Sequence, residues 1–251
     1  MQLLFFLFYC ILPMQEHLNN TDKCIKASQE ILLAAKTNKS VETQIQYFIN
    51  LDPDTLQNEL YNDSTKKTFW INIYNAYTQI LLTKDPEKYK KRNAFFGSKV
   101  IAIAGVKLSL DDIEHGILRR SKNKWSFGYL QKLFPSSFEK KFRVIELDNR
   151  IHFSLNCGAK SCPPIAFYKT EKINTQLDIA TKTYLTNEVN WNSDSTTIYL
   201  PTFMNWFSAD FGGKKGMRKL LTKYAIPTPS KKYSIGFNKY GWSLFLQQYA
   251  E

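Results

Sequence analysis

The segment RIHFSLNCGAKSCPP, residues 150–164, holds one of the three histidines and two of the four cysteines of this 251-residue chain. Cys157 stands at the end of a predicted strand, and Gly158 allows the chain to turn there and expose the sulfur. A thiol in this position, beside free backbone N–H groups, is typical of a nucleophile with part of an oxyanion site. Unpaired cysteines are also often buried and inert, so a structural role is the alternative.

A thiol nucleophile needs a base, and the chain offers only His17, His115 and His152. Asp111 precedes His115 by four residues on a predicted helix, so its carboxylate can hold the imidazole from the same face. His17 lies in the apolar N-terminal region, away from the other motifs. We therefore predict a pair of Cys157 and His115, oriented by Asp111.

Glu114 and His152 are the second choices for these roles. Glu114 adjoins His115 and should point about a quarter-turn or more away from it, which makes it a poorer orienter. His152 and Cys157 should lie on opposite faces of their strand, because side chains alternate along it. For each histidine, a satisfied structural role is the alternative to catalysis.

The two clustered cysteines allow two further interpretations. Cys157 and Cys162 can form a disulfide across a tight loop, which an exported protein would permit. With His115 and His152 they can also form a four-ligand metal site, but the cysteine spacing is not that of common zinc sites. We assign no metal and no cofactor, and we count His152 and Cys162 among candidate binding residues.

Four other polar residues are candidates for supporting or lining the site. Asn72 and Asn75 share one face of an apolar helix, where buried amides need hydrogen-bond partners. We expect them to bind the backbone and fix the Cys157 loop, although they could line a pocket. Arg119 is either a buried clamp or a ligand for a substrate carboxylate. Asn156 directly precedes the thiol and is counted as a polar support.

Hydrophobic periodicity predicts the elements that must hold these residues. Helices are predicted over residues 21–37, 41–49, 64–82, 109–120, 171–188, 202–211 and 214–224. We expect Thr21 or Asp22 to cap the first, Ser64 to cap the third, and Ser109 with Asp112 to form a capping box. A hairpin is predicted over 99–108, two strands over 142–155 and a short strand over 195–200.

These elements predict an α+β fold, mostly helical, around a small antiparallel sheet. We see no linker, so residues 21–251 are predicted to form a single domain. Lys and Arg number 34 against 22 Asp and Glu, a net charge of +12. The basic residues are scattered and no nucleic-acid-binding motif accompanies them, so we expect no specific nucleic-acid partner and only weak association with anionic surfaces.

The first residues, MQLLFFLFYCILPM, form an apolar run of about fourteen. This length suits the core of a signal peptide and is too short to span a bilayer comfortably. We predict that residues 1–20 are a secretory signal and that the protein is exported, to the periplasm or outside the cell. A membrane anchor, a buried first helix and a cytoplasmic location are the alternatives.

Five segments, in order, resemble the bacterial and plant proteins grouped as domain of unknown function number 547. They are FWINIYNAYT (69–78), SLDDIEHGILR (109–119), RIHFSLNCGAKSCPPI (150–165), FMNWFSADFG (203–212) and KYGWSLF (239–245). The last departs from the family at Gly241, where an acid is usual, and at Phe245, where asparagine is usual. The resemblance implies a set of suspect residues but no reaction, and its bacterial members are typically predicted to be exported.

Taken together, the sequence predicts a thiol hydrolase or acyltransferase acting on a small molecule or a peptide. Cys157 is the predicted nucleophile, His115 the base, and Asp111 or Glu114 the orienter. The alternative is a non-enzymatic binding or scaffold module, in which the same motifs fasten helices to a central sheet.

Overall fold

The computed structural model describes residues 23–191, 196–230 and 232–250. The α-helices are α1 (Lys23–Lys36), α2 (Glu42–Ile49), α3 (Pro53–Glu59), α4 (Asp63–Lys84), α5 (Arg92–Gly97), α6 (Ser137–Phe142), α7 (Ile173–Glu188), α8 (Phe203–Trp206) and α9 (Gly213–Lys223). A π-helix covers Asp112–Leu118, and 3₁₀ turns cover Pro86–Lys91, Asn149–Phe153 and Thr170–Lys172. The predicted α+β class, mostly helical, is confirmed. The predicted signal and the predicted caps of α1 lie outside the described residues.

Helix α4 is the centre of the fold, and α1 packs along it. Its side chains are buried on every face from Thr65 to Gln79, although several of them are polar. Lys67 and Asn75 are examples, and each binds a partner within the fold. The predicted cap, Ser64, is wrong. Asn62 has the extended backbone of a cap, and its side chain accepts a hydrogen bond from Thr65 N at 2.9 Å, which leaves Ser64 inside the first turn.

The strands form two small pairs. β1 (Ile101–Ile103) and β2 (Val106–Leu108) make the predicted antiparallel hairpin, with Ile101 opposite Leu108. β3 (Thr197–Leu200) pairs in parallel with β4 (Ser234–Phe237), a strand that the sequence did not predict. Parallel pairing needs a long connection, and α8 and α9 supply it.

The predicted strands over residues 142–155 are wrong. Residues 149–153 form a 3₁₀ turn because the Asp148 carboxylate accepts hydrogen bonds from the backbone N and side chain of Arg150, which starts the turn. Lys67 on α4 holds the same carboxylate at 2.8 Å. The faces expected from alternation therefore do not exist, and residues 151–156 are all buried.

Two hydrophobic clusters meet at this turn. Ile151 and Leu155 belong to the larger cluster, which surrounds α4, whereas Phe153 belongs to a smaller one built on α7, α9 and β3. That the whole forms a single domain remains a prediction. Among the described residues, no helix has the length and apolarity that crossing a bilayer requires.

Candidate functional site

A cavity of about 830 Å³ lies between the π-helix, the segment around residues 152–163 and the C-terminal tail. Its wall includes Asp111, Glu114, His115, His152 and Cys157. The structure therefore brings all the predicted catalytic residues to one cavity, although they come from two distant parts of the chain. His152 shares the cavity with Cys157, so the prediction that it lies on the opposite face is wrong. Its side-chain direction is set by the 3₁₀ turn and not by a strand.

Cys157 is half-buried in the cavity wall, and its sulfur contacts a tyrosine rather than a histidine. Cys157 Sγ and Cys162 Sγ each lie 3.3 Å from Tyr240 Oη, so one hydroxyl binds both thiols. Both cysteines are free, and Cys157 N donates to Cys162 Sγ at 2.9 Å. The described residues contain no hydrogen bond between the Cys157 thiol and an imidazole.

The surroundings of the two thiols shift their pKa values in opposite directions. The hydrogen bond with Cys162 lowers the pKa of Cys157, and the bonds from Tyr240 and the Ala159 backbone add to it, outweighing burial. Burial raises the pKa of Cys162 well above its ordinary value, and so does the neighbouring Cys157. Cys157 is therefore the thiol of the pair that ionises first.

The sequence predicts free backbone N–H groups beside Cys157, and this prediction is wrong. Cys157 N is bound to Cys162, and Gly158 N donates to Asn156 Oδ1 at 2.9 Å. An oxyanion at this thiol would need side-chain donors, and the Tyr240 hydroxyl lies 3.3 Å from both sulfurs.

The π-helix sets the positions of the acidic residues and of His115. Arg119 N donates to Glu114 O at 2.8 Å and Ser121 N to Gly116 O at 2.7 Å, bonds that span five residues and widen the turn. Glu114 Oε1 consequently lies 3.7 Å from His115 Nδ1, so the expectation that Glu114 points away is wrong. The predicted capping box is present, with Ser109 N 2.9 Å from Asp112 Oδ2 and Asp112 N 3.0 Å from Ser109 Oγ.

His115 has a partner for each ring nitrogen. Arg119 Nη1 lies 2.9 Å from Nδ1, and because a guanidinium only donates, Nδ1 must accept. A neutral His115 then carries its proton on Nε2, which lies 3.5 Å from Asp111 Oδ1. Burial raises the pKa of Asp111, but the hydrogen bonds from His115 and Lys124 outweigh it and lower the pKa. In this arrangement His115 has no free lone pair to offer the Cys157 thiol.

Arg119, Asp210 and His152 form a buried network behind the cavity wall. Arg119 Nε lies 2.6 Å from Asp210 Oδ2, and His152 Nε2 lies 2.9 Å from the same oxygen. Phe207 closes the network, since its ring stacks on His152 at 4.4 Å and faces the Arg119 guanidinium at 4.2 Å. Burial lowers the pKa of His152 despite the carboxylate beside it. Arg119 is thus a buried clamp in the described structure.

The three asparagines bind the main chain, and none of them lines the cavity. Asn75 Nδ2 donates to Ser154 O at 2.9 Å and its Oδ1 accepts from Asn156 N at 2.8 Å, which fixes the chain that enters Cys157. Asn72 holds both backbone groups of Tyr168 in the same manner. Asn156 Nδ2 donates to Pro163 O at 2.8 Å and so closes residues 157–162 into a loop, which we call the cysteine loop.

The rest of the cavity is aromatic with a basic rim. Trp206 and Trp242 stack at 5.4 Å, and Arg92 lies over the Trp242 ring at 4.5 Å. Lys91 and Arg92 both line the cavity, and no carboxylate of the described residues forms an ion pair with either. The cavity can therefore take a ligand with a flat or apolar part and an anionic group.

Comparisons with known proteins give a family but no function. The family model described as "Protein of unknown function, DUF547" matches residues 58–185. The chain belongs to this family. No curated protein and no solved structure matches the chain.

The DUF547 match contains the helix, π-helix and cysteine segments of the site. The segments at 203–212 and 239–245 lie outside the match, yet they supply Asp210 and Tyr240. Gly241 N donates to Ser161 Oγ at 2.8 Å and Phe245 N to Gly158 O at 2.8 Å. The tail of this DUF547 chain thus binds the cysteine loop through its backbone N–H groups. The departures from the family pattern at Gly241 and Phe245 change side chains and do not remove these bonds.

Three residues of the site were not predicted from the sequence. Tyr240 binds both thiols, Asp210 binds Arg119 and His152, and Tyr74 Oη donates to Glu114 Oε2 at 3.1 Å. Each stands in a segment that resembles the DUF547 family, which is the signal that could have found them. Their partners are distant in sequence, so spacing does not indicate the contacts. Within the described ranges, no three His, Cys, Asp or Glu side chains are grouped as a metal site requires.

Proposed function

We propose that the cavity is the active site of a thiol-dependent hydrolase or acyltransferase, with Cys157 as the nucleophile. The observation that carries the proposal is the Cys157 sulfur in the cavity wall, hydrogen-bonded to Tyr240 and beside a second thiol. Hydrogen bonds to the charged form favour a thiolate, which is the reactive form of cysteine. The other described cysteines offer a contrast, because Cys24 and Cys162 are buried and their pKa values are raised.

Glu114 is the proton carrier in this proposal. Its carboxylate lines the cavity and is held by the Tyr74 hydroxyl, whereas both nitrogens of His115 are occupied. Asp111, His115 and Arg119 are then positioning residues that keep the acidic side of the cavity in place. This assignment replaces His115 with Glu114 as the base.

The reaction is an acyl transfer through a thioester. The Cys157 sulfur attacks the carbonyl carbon of an ester or amide, and the thiol proton passes to Glu114. The bond to the leaving group breaks, and the leaving group takes that proton. Water or a second acceptor then attacks the thioester, its proton passes to Glu114, and the Cys157 sulfur leaves with that proton.

An electrophilic thiol probe tests the nucleophile. At neutral pH the probe should label Cys157 rapidly, and peptide mass spectrometry should find the label there. Cys157→Ser should lose the labelling, and Cys24→Ser, which removes a buried thiol whose pKa is raised to about 12, should leave it unchanged. Labelling of Cys157 no faster than that of the unfolded chain would reject the proposal.

Activated acyl esters test the second step. Wild type should form a transient acyl adduct at Cys157 and turn over. Glu114→Gln should acylate more slowly, because the thiol proton lacks its acceptor, and should then hold the thioester longer. Loss of labelling in a folded His115→Gln variant would instead restore His115 as the base. Binding of the ester without any acylation would reject the enzyme.

A binding module is the second candidate. The aromatic wall and the cations of Lys91 and Arg92, for which no described carboxylate is an ion-pair partner, favour it, since they could recognise a ligand without any chemistry. In that case Cys157→Ser would bind the same small molecule or peptide as wild type and no turnover would be found.

Export is also part of the proposal. It is supported by the apolar residues at the start of the chain, which have the length of a signal core. Fusing residues 1–30 to a reporter that is active only outside the cytoplasm tests it, and an inactive fusion would reject export by this segment.

A further inference from the structure

A loop beside the cavity presents large apolar side chains to solvent. We call residues 120–135, which join the π-helix to α6, the aromatic loop. Six of its side chains are between 52% and 88% exposed: Trp125, Phe127, Tyr129, Leu130, Leu133 and Phe134. Single exposed apolar residues are ordinary on a protein surface, but a contiguous group of this size marks an interaction site.

Backbone hydrogen bonds give the aromatic loop a fixed frame. Lys132 N donates to Ser121 O at 2.7 Å, and Asn123 N donates to Leu130 O at 2.9 Å. Gly128, at φ +82°, packs so closely on the Arg119–Asp210 pair that a Cβ would collide with the Asp210 carboxylate. The exposed side chains therefore project from a frame that is tied to the core.

The charge around the aromatic loop is positive. The loop contains four basic residues and no acidic one. Lys124 and Lys132 bind carboxylates of neighbouring elements, whereas Arg120 and Lys122 form no ion pair with a described residue. Lys91 and Arg92, which form no ion pair within the described ranges, line the same cavity as Trp125 and Phe127 and add positive charge on this side of the molecule.

We propose that the aromatic loop docks the protein on the surface of a bilayer that contains anionic phospholipids. Leu130, Leu133 and Phe134 enter the boundary between headgroups and acyl chains, where aromatic and apolar side chains gain most. Trp125, which is 72% exposed on the same loop, meets the lipid beside them. Arg120 and Lys122 meet the lipid phosphates. A nucleic acid would match the charge but would offer nothing to the two leucines, which favours the lipid surface.

The place of the aromatic loop gives this docking a consequence for the cavity. Trp125 and Phe127 are part of the loop and also line the cavity. A docked molecule therefore turns this side of the cavity toward the membrane. The docking does not depend on the chemistry of Cys157 and can be tested without any assay of activity.

Vesicle flotation tests the proposal with the full chain. The vesicles are phosphatidylcholine alone or phosphatidylcholine mixed with phosphatidylglycerol. Wild type should float with the mixed vesicles, and Leu133→Ser with Phe134→Ser should lower the partition coefficient by at least about tenfold, because two large apolar side chains are lost. Ile145→Ser with Ile179→Ser, at positions 64% and 60% exposed, is the control and should bind as wild type does.

A charge variant and a fluorescence measurement complete the test. Arg120→Gln with Lys122→Gln should weaken binding to the mixed vesicles more than Lys23→Gln with Lys26→Gln, two exposed lysines of α1. Brominated lipids should quench wild-type tryptophan emission more than that of Trp125→Phe. The N-terminal apolar residues are present in every variant, so differences between variants report the aromatic loop.

Three results would overturn the proposal. Wild type could fail to float with the mixed vesicles, or the Leu133 and Phe134 variant could float as well as wild type. The third is equal quenching of wild type and Trp125→Phe. A self-association that the loop variant abolishes, without vesicle binding by wild type, would make the loop a protein interface instead.

Discussion

The guanidinium of Arg119 and the carboxylate of Asp210 bind each other with neither side chain exposed to solvent. Two nitrogens take part, Nε at 2.6 Å from Oδ2 and Nη2 at 3.2 Å from Oδ1. The pair joins the end of the π-helix to the segment between α8 and α9, and each partner also binds one of the cavity histidines. Burying two charges is costly, and this geometry offsets the cost by satisfying both groups.

Breaking this pair should strongly destabilise the fold. Asp210→Asn leaves the Arg119 charge uncompensated in the interior, and we expect the free energy of unfolding to fall by about 3–5 kcal/mol. Urea denaturation measures it. Asp54→Asn, which breaks the exposed pair with Lys141, should leave the midpoint nearly unchanged. Equal midpoints for the two variants would contradict a central role for the buried pair.

The acidity of Cys157 should depend on its two sulfur partners. Tyr240→Phe and Cys162→Ser each remove or weaken a hydrogen bond to the thiolate, so the pKa of Cys157 should rise. A bond to a charged group is worth about 1.5–3 kcal/mol, which corresponds to a shift of about one to two pH units. The pH profile of alkylation measures the shift, and Tyr77→Phe, at a buried tyrosine outside the cavity, is the control. Unshifted profiles in both variants would show that these bonds do not set the reactivity.

Stability should fall as the pH drops below the ordinary pKa of histidine. Burial lowers the pKa of His152, so the unfolded chain binds a proton there at a higher pH than the folded chain does. The contribution of neutral His152 to the free energy of unfolding is therefore fully present above a pH of about 6.5. It decreases as the pH falls toward the lower pKa of the folded state. His152→Gln should flatten this part of the curve. An equally steep curve for the variant would assign the loss to other groups.

A methyl group at Gly158 should disturb the cysteine loop. Gly158 has φ +82°, and a Cβ would lie 2.7 Å from Leu82 Cδ1. Gly158→Ala therefore combines a backbone cost of about 1–2 kcal/mol with a collision in the core. Gly105→Ala, at φ +76° with open space around it, has only the backbone cost and is the matched control. Similar unfolding free energies for both variants would mean that the core absorbs the contact.

The elements that follow one strong period were predictable from the sequence. Helix α4 carries apolar residues at helical steps, and the hairpin β1–β2 has β-branched residues around a glycine, so both were predicted. Residues 149–153 alternate like a strand but form a 3₁₀ turn, because the Asp148 carboxylate binds the backbone ahead of it. A single side-chain hydrogen bond of this kind overrides a short pattern, and alternation cannot reveal it.

The candidate site was predictable in its composition but not in its contacts. Cys157, His115, Asp111 and Glu114 were chosen by residue type and spacing, and all four line the cavity. Sequence spacing assumed an α-helix, whereas the π-helix turned Glu114 toward His115. Tyr240 could not be assigned, because it lies 83 residues from Cys157 and only the folded tail brings its hydroxyl to the sulfur.

The binding of the C-terminal tail to the cysteine loop has a consequence for the timing of synthesis. A chain leaving the ribosome presents Cys157 well before Tyr240, and a domain generally folds as a unit. Until the tail docks, the thiol lacks its tyrosine partner, and the cavity lacks the wall that Trp242 and Tyr240 provide. The hydrogen bond from Tyr240, which helps to lower the pKa of Cys157, therefore forms only after the tail has been synthesised and has docked.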